Sequence, residues 1–303
     1  KKSEAAYLLE KTKSEEYGSF HLSAGMCMQN RRDVLEALRT ALARREKVLC
    51  IATQVIEAGV DISFDAVVRL TAGMDSVVQA AGRCNRGGES RVPRPVYTVN
   101  CADEKLGMLR DIRRGKDATL SLMEAFQRMP EKLGGNLFSE EAIRYYYRAV
   151  YRDMAEGEQD YYIKEQGTSL FDLMADNRRY ADEGCAGAEM FCLRQAFKTA
   201  GRYFSVFQED TTDVLVPYGK GKELIAELCG ERCRHDAEHR AAVLQEAAAY
   251  CVGIYPYQKK QLEEGALHSV CDDCARALAE GFYDDTVGLV TEAEKHEFWE
   301  VRE

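Results

Sequence analysis

Between Val48 and Asn100 the apolar positions fall into short continuous runs separated by polar, glycine-rich connections. Val48–Ala52 is unbroken, the pattern of a strand buried on both faces. Ala66–Leu70 predicts the next strand, and Arg94–Asn100 a further one with its prolines at the entry, where they are tolerated. Asp75 begins a helical segment that runs into Gln79-Ala-Ala-Gly82-Arg83-Cys-Asn-Arg86-Gly-Gly88. Upstream, residues 1–17 are a charged, helix-compatible start, and Tyr17–Ala24 predicts a short strand whose end carries His21 and Ser23. Asn30 is placed to cap a helix reaching about Arg45, with Val34, Leu35, Leu38 and Leu42 on one face. Strand and helix alternate over about 100 residues, which predicts an α/β fold with a doubly wound parallel sheet.

Beyond Glu104 the pattern turns helical. Leu106, Leu109, Ile112, Leu120, Met123 and Phe126 recur at helical spacing. Pro130 and Gly134-Gly135 interrupt it, and Ser139 before Glu140-Glu141 predicts a new helix. Residues 104–202 therefore form a helical connector. From residue 203 a small α+β domain follows: strands at Phe204–Gln208 and Asp213–Val216, helices at Lys222–Cys229 and about Glu238–Ala249. Tyr250–Tyr257 is a predicted strand, with short strands near Leu267 and Phe282. The predicted domains are thus 1–103, 104–202 and 203–303.

Polar groups and glycines gather at the strand ends, where open α/β sheets bind ligands. Thr53 and Gln54 close the first run, Gly59-Val-Asp61 follows, and Gln79, Arg83 and Arg86 occupy one predicted helix face. Together they suit a polyanion. Arginine offers a planar fork of donors for a terminal phosphate, a glycine lets backbone approach, and a carboxylate can accept from ribose hydroxyls.

Ala52-Thr53 through Gly59-Val-Asp61-Ile62 resembles motif V of superfamily 2 helicases, and Gln79-x-x-Gly82-Arg83-x-x-Arg86 resembles motif VI. The wording ATQVIEAGVDISFD and QAAGRCNRGGE is most similar to the CRISPR-associated helicase-nuclease of type I systems. His21-Leu-Ser23 with Arg31 resembles that family's motif IV–IVa region. VLVPYGKGKELIAEL and VGIYPYQKKQLEEGAL look like its C-terminal domain, most like the I-C subtype.

The resemblance implies a second RecA-like motor domain and, for the parent, ATP- and Mg2+-dependent translocation on single-stranded DNA after recruitment to the surveillance complex (Cascade). It makes Arg86 the arginine finger and Arg83 its companion at the γ-phosphate. Gln79, Gly59 and Asp61 then face the nucleotide, while Thr53, Gln54, Ser23 and Arg31 face DNA. The first motor domain, which carries most of the ATP and Mg2+ site, and the metal-dependent nuclease domain are expected upstream of Lys1. A fragment without them is expected to be silent.

Composition adjusts this picture little. A hydrophobic content of 46% is that of a folded protein. No run is long enough to span a membrane and no signal peptide is expected; eleven cysteines are then expected to be free thiols in the cytoplasm. The net charge is −10, yet residues 1–100 carry 15 Lys and Arg against 12 Asp and Glu. The acidity lies downstream, and local fields decide phosphate binding.

Other features have plainer readings. Arg144-Tyr-Tyr-Tyr-Arg148-Ala-Val-Tyr-Arg152 can track a single strand, but a solvated face with tyrosines packed beneath is favoured. Tyr218-Gly-Lys220-Gly-Lys222 reads as a surface turn. Cys229, Cys233, His235 and His239, with Cys271-x-x-Cys274, lack the spacing of a zinc site, so no metal is expected in the chain. Two alternatives stay open at this stage: another superfamily 2 DNA or RNA motor, and a non-catalytic interaction module of the effector complex.

Overall fold

The computed structural model describes residues 2–56, 59–101, 109–152, 154, 160–175, 177, 195–204, 211–262 and 265–291. It divides into two compact units, Lys1–Ile62 with Asp210–Glu303, and Ser63–Glu209. The predicted strand positions 205–208 and the helix position Leu106 lie outside the described residues.

The first unit opens with α1 (Lys2–Lys11), β1 (Gly18–Leu22), α2 (Met28–Ala43) and β2 (Val48–Ala52). β1 and β2 pair in parallel from Gly18↔Val48 to Leu22↔Ala52, as a helical crossover requires. The Thr53 N–H donates to the Leu22 carbonyl at 2.9 Å and prolongs the ladder. β2 is half-buried along its length, not sealed on both faces as its apolar run predicts. Among the described residues it has a single ladder neighbour, β1.

α2 also begins earlier than Asn30 predicts. Extended Cys27 stands at the N-cap without a side-chain bond. Asn30 is fully buried in the first turn, and its Nδ2 donates to Tyr283 Oη and to the Asp285 carbonyl, both at 2.9 Å. Those tertiary bonds hold Asn30 inside the first turn of α2, one helical turn past the cap position.

In the second unit β3 (Val67–Leu70), α3 (Met74–Ala81) and β4 (Val96–Val99) repeat the parallel strand–helix–strand pattern, Val67↔Val96 to Leu70↔Val99. α4 (Arg110–Arg128) and α5 (Glu140–Arg152) then pack on α3 through Met74, Val77, Leu122, Ala125, Ala142 and Tyr146. The predicted stripe of Leu120, Met123 and Phe126 is only half-buried. The buried positions of α4 are Gly115, Lys116, Ala118, Thr119, Leu122 and Ala125, and the small side chains among them let the helices approach. Ser139 caps α5 as predicted, its Oγ accepting from the Ala142 N–H at 3.1 Å. The unit closes with a hairpin, β5 (Tyr162–Ile163) and β6 (Thr168–Ser169), and helices α6 (Leu170–Met174) and α7 (Phe197–Tyr203) around Ile163, Leu173 and Ala200. The connector is therefore not wholly helical.

The chain returns to the first unit through β7 (Thr212–Leu215), α8 (Gly221–Cys229), α9 (Glu231–His235), α10 (Ala237–Ala247), β8 (Cys251–Ile254) and α11 (Pro256–Gln261). It ends in β9 (Leu267–Val270), β10 (Ala275–Leu278), β11 (Tyr283–Asp284) and β12 (Gly288–Leu289). Four strands form one sheet in the order β8-β7-β10-β9, parallel at β7/β10 and antiparallel elsewhere. Strand alternation splits the core: Val214, Val216 and Leu278 face one side, while Leu215 and Ala277 meet Leu224, Leu228 and Val243 on the other. The predicted strand Tyr250–Tyr257 breaks at Tyr255, because Pro256 occupies the first position of α11.

The C-terminal strands are tied to the start of the chain. Tyr283 Oη accepts from the Cys27 N–H at 3.1 Å as well as from Asn30. Tyr218 Oη donates to Asp33 at 2.8 Å, and the Leu289 N–H donates to the Gly25 carbonyl at 2.8 Å. Tyr283→Phe removes the acceptor for two donors, so it should lower stability by about 1–3 kcal/mol. A urea midpoint equal to that of the wild type would show the hydroxyl to be idle.

Candidate functional site

The strand-end groups of the first unit follow β2. Thr53 is half-buried, and Gln54 is exposed at the start of a 3-10 turn, Gln54–Ile56. Gly59 has φ +73°, with no atom within 4 Å of the position a Cβ would take. Glycine is thus required there by backbone conformation, and the space beside it is open. Asp61 is exposed, with Ile62 buried behind it. A cleft of ≈ 180 Å³ lies between the β1 end, α2 and this connection, lined by Leu22, Leu35, Val55 and Val60 with Arg31 and Arg32. It joins Arg31 to the Thr53–Asp61 stretch.

Ser23 does not share that exposure. It is 0% exposed, its Oγ donating to the Val287 carbonyl at 3.4 Å and accepting from the Gly25 N–H at 3.3 Å. The DNA contact expected of Ser23 is therefore corrected to a structural role, because both its surface and its hydroxyl are committed inside the fold. His21 is buried as well.

In the second unit the predicted helix face of Gln79, Arg83 and Arg86 is not formed. α3 ends at Ala81, and the Gly82 N–H closes back on the Val78 carbonyl at 2.9 Å. The backbone then leaves the helix because Phe64 and Cys84 form a bridge. Phe64 N–H donates to the Arg83 carbonyl at 2.9 Å and Asn85 N–H to the Phe64 carbonyl at 3.0 Å. The two arginines consequently separate in environment: Arg83 is 8% exposed, whereas Arg86 is exposed, as is Gln79 on α3.

Arg86 sits on a clasped loop. Its N–H donates to Ser63 Oγ at 2.9 Å, and its Nη1 reaches the Gly82 carbonyl at 3.5 Å. Asn85 adopts φ +49°, a region that asparagine tolerates. Its side chain bonds Ser90 twice, Nδ2 to the carbonyl at 2.9 Å and Oδ1 from the N–H at 3.0 Å. A guanidinium on a backbone held this way is suited to an oxyanion brought to it. Sequence reasoning passed over Ser63, Asn85 and Ser90. Asparagine before Arg-Gly-Gly, with serine five residues on, was the available signal.

The remaining candidates are structural. Lys220 pairs with Glu246, and Lys222 with Glu280 at 3.2 Å. Cys271 Sγ donates to the Cys233 carbonyl at 3.5 Å, and His239 Nε2 meets Glu227 at 2.9 Å. Among the described residues no three His, Cys, Asp or Glu side chains gather as a metal site, the described cysteines are free thiols, and no helix is long and apolar enough to cross a membrane. Burial pushes the Cys50 thiol up to about 12, which leaves it unreactive at neutral pH.

Both sets of strand-end groups fall in one matched segment. Residues 2–89 match the family model described as CRISPR-associated nuclease/helicase Cas3, C-terminal. Over residues 2–89 the chain is similar to the Cas3 C-terminal family. The CRISPR-associated nuclease/helicase Cas3 of Haloferax volcanii is 48% identical over 60 residues, which are 20% of this chain and 6% of that protein. The ATP-bound crystal structure of T. fusca Cas3 superposes with a TM-score of 0.56 at 14% identity, covering 96% of this chain and 37% of Cas3. The T. fusca Cas3 structure with AMPPNP gives 0.54 at 14% identity, over 96% and 38%. A chain of a CRISPR RNA-guided surveillance complex, pre-nicking, gives 0.50 at 14% identity, over 95% and 39%. The chain thus spans well under half the length of these Cas3 relatives. Its fold is the mixed α/β architecture of the Cas3 C-terminal region, in line with a second RecA-like domain.

Proposed function

We propose that the chain is the C-terminal part of an ATP-dependent single-stranded-DNA translocase and nuclease of type I CRISPR interference. Residues 1–103 act as the second RecA-like motor domain, 104–202 as a linker and 203–303 as a C-terminal domain. The observation that carries this reading is Arg86, exposed on a loop clasped by Ser63, Asn85 and Ser90 within the Cas3-like segment. In this reading Arg86 meets the γ-phosphoryl group as the arginine finger, and buried Arg83 fixes the loop beneath it. Gln79, Gly59 and Asp61 contact the nucleotide. Thr53, Gln54 and Arg31 contact the DNA strand, Arg31 from the rim of an apolar cleft. ATP bound to the T. fusca relative supports the nucleotide, and the likeness to a chain of a surveillance complex supports Cascade as a partner.

Phosphoryl transfer also needs a phosphate cradle, magnesium ligands and a positioned water. No GxxxxGK[ST] motif occurs in the chain, and those parts are assigned to the first motor domain of the parent. The purified 303-residue chain should therefore release no phosphate from ATP, with or without single-stranded DNA. Sustained DNA-stimulated release from a rigorously purified sample would overturn the half-site assignment.

A further inference from the structure

α5 carries an unusual outer face. Tyr146 packs inward, its hydroxyl donating to Asp75 at 3.2 Å, and burial followed by that carboxylate pushes its phenol up to about 12. Ala142 is sealed beside it, so the helix has a firm backing. Tyr147 and Tyr151, which the pattern would have packed beneath, stand outside instead, 44% and 56% exposed. Their rings stack with centroids 6.1 Å apart and planes 19° from parallel, and Tyr146 meets Tyr147 edge-on at 5.1 Å. Ile143 is exposed on the same stripe.

Arg144, Arg148 and Arg152 form the neighbouring stripe, all exposed, and no carboxylate occurs from Arg144 to Arg152. Glu140, one turn before, pairs with Arg144. Four-residue spacing places the cations about 6 Å apart along the helix, a rise comparable with successive phosphates on an extended strand. Helix-end arginines alone are explained by the helix dipole. That account does not explain why two stacked rings are left in water beside them.

We propose that this face of α5 is a stacking platform for single-stranded nucleic acid, with bases on Tyr147 and Tyr151 and phosphates on the three arginines. Flat rings favour this occupant over an acidic protein: a base offers a π-face to each ring and a phosphate to each cation, and the contact tolerates any sequence. The site goes beyond the arginine-finger reading and does not depend on it, since it needs no nucleotide.

The test uses the 303-residue chain and a fluorescein-labelled oligothymidylate of about 16 nucleotides, followed by anisotropy over a range of KCl without ATP. The double variant Tyr147→Ala/Tyr151→Ala should weaken binding at least about tenfold, and Tyr147→Phe/Tyr151→Phe should retain wild-type affinity because the rings remain. Arg148→Ala should lower the log–log salt slope by about 0.7, one phosphate contact. Arg148→Glu/Arg152→Glu, which leaves the Glu140–Arg144 pair in place, should weaken binding well beyond Arg148→Ala, whereas Arg128→Ala on α4 should not change it. Melting temperatures confirm folding. A wild-type chain that fails to bind, folded alanine variants that bind normally, or a polyglutamate peptide that competes as well as unlabelled oligothymidylate would each overturn the proposal. A chain that binds through α5 while its parent tolerates loss of Arg86 would keep this inference and lose the other.

Discussion

Arg86→Ala in the full-length parent should lower single-stranded-DNA-stimulated ATP turnover by at least about a hundredfold, because arginine fingers contribute about 10³–10⁵ in rate. The guanidinium would stabilise charge that spreads over the phosphoryl oxygens only as the bond to the leaving group breaks, so the loss should fall on kcat more than on KM. Arg86→Lys should recover little, since a point charge cannot reproduce a two-pronged contact. Stability should hardly change. The Arg86 N–H keeps its bond to Ser63 in either variant, and the exposed side chain has little packing to lose. Arg83→Ala should behave differently: at 8% exposure its truncation opens the loop beneath Arg86 and should lower the melting temperature together with turnover. A folded Arg86→Ala parent that turns over normally removes Arg86 from the active site and with it the mechanism proposed above.

The contrast between those arginines marks how far the sequence could be read. Spacing alone put Arg83 and Arg86 on a common face, because three and four residues apart are neighbours on any helix. What ended the helix was a bridge between Phe64 and Cys84, a tertiary contact that no local pattern encodes. Strands fared better. Val48–Ala52 was legible to the residue, since a continuous apolar run between charged and polar stretches has few other uses. Ser139 was legible as a cap for the same local reason. Asn30 and Ser23 were misread because their partners, Tyr283, Asp285 and Val287, lie more than 250 positions away. Motif resemblance located the polar loops but could not say which members face solvent. Burial decided that: it kept Arg31 and Arg86 as candidates and withdrew Ser23 from the DNA surface.

Gly288→Ala should be among the most destabilising single substitutions in the chain, at about 3 kcal/mol or more. Two independent costs meet there. Gly288 has φ +86°, outside the range that a side chain enjoys, and a left-handed alanine costs about 1–2 kcal/mol. A Cβ would also lie 2.3 Å from the Gly25 carbonyl oxygen, 2.4 Å from its carbon and 2.7 Å from the Met26 nitrogen. Those are backbone atoms, so no side chain can swing aside. Relief requires β12 to lift from Gly25, which breaks the 2.8 Å bond from the Leu289 N–H and adds about 1–3 kcal/mol for buried groups left unpaired. The neighbouring bond from Ser23 to Val287 is strained by the same movement. Gly265→Ala separates the two costs, because Gly265 has φ +95° with nothing within 4 Å of its Cβ position. It should lose only the conformational part. The comparison is made by urea denaturation of both variants, with limited proteolysis reporting whether the C-terminal strands detach from α2. Equal midpoints for the two variants would mean that β12 does not press on Gly25, and that the C-terminal strands are not what holds the start of α2, and Arg31 with it, in place.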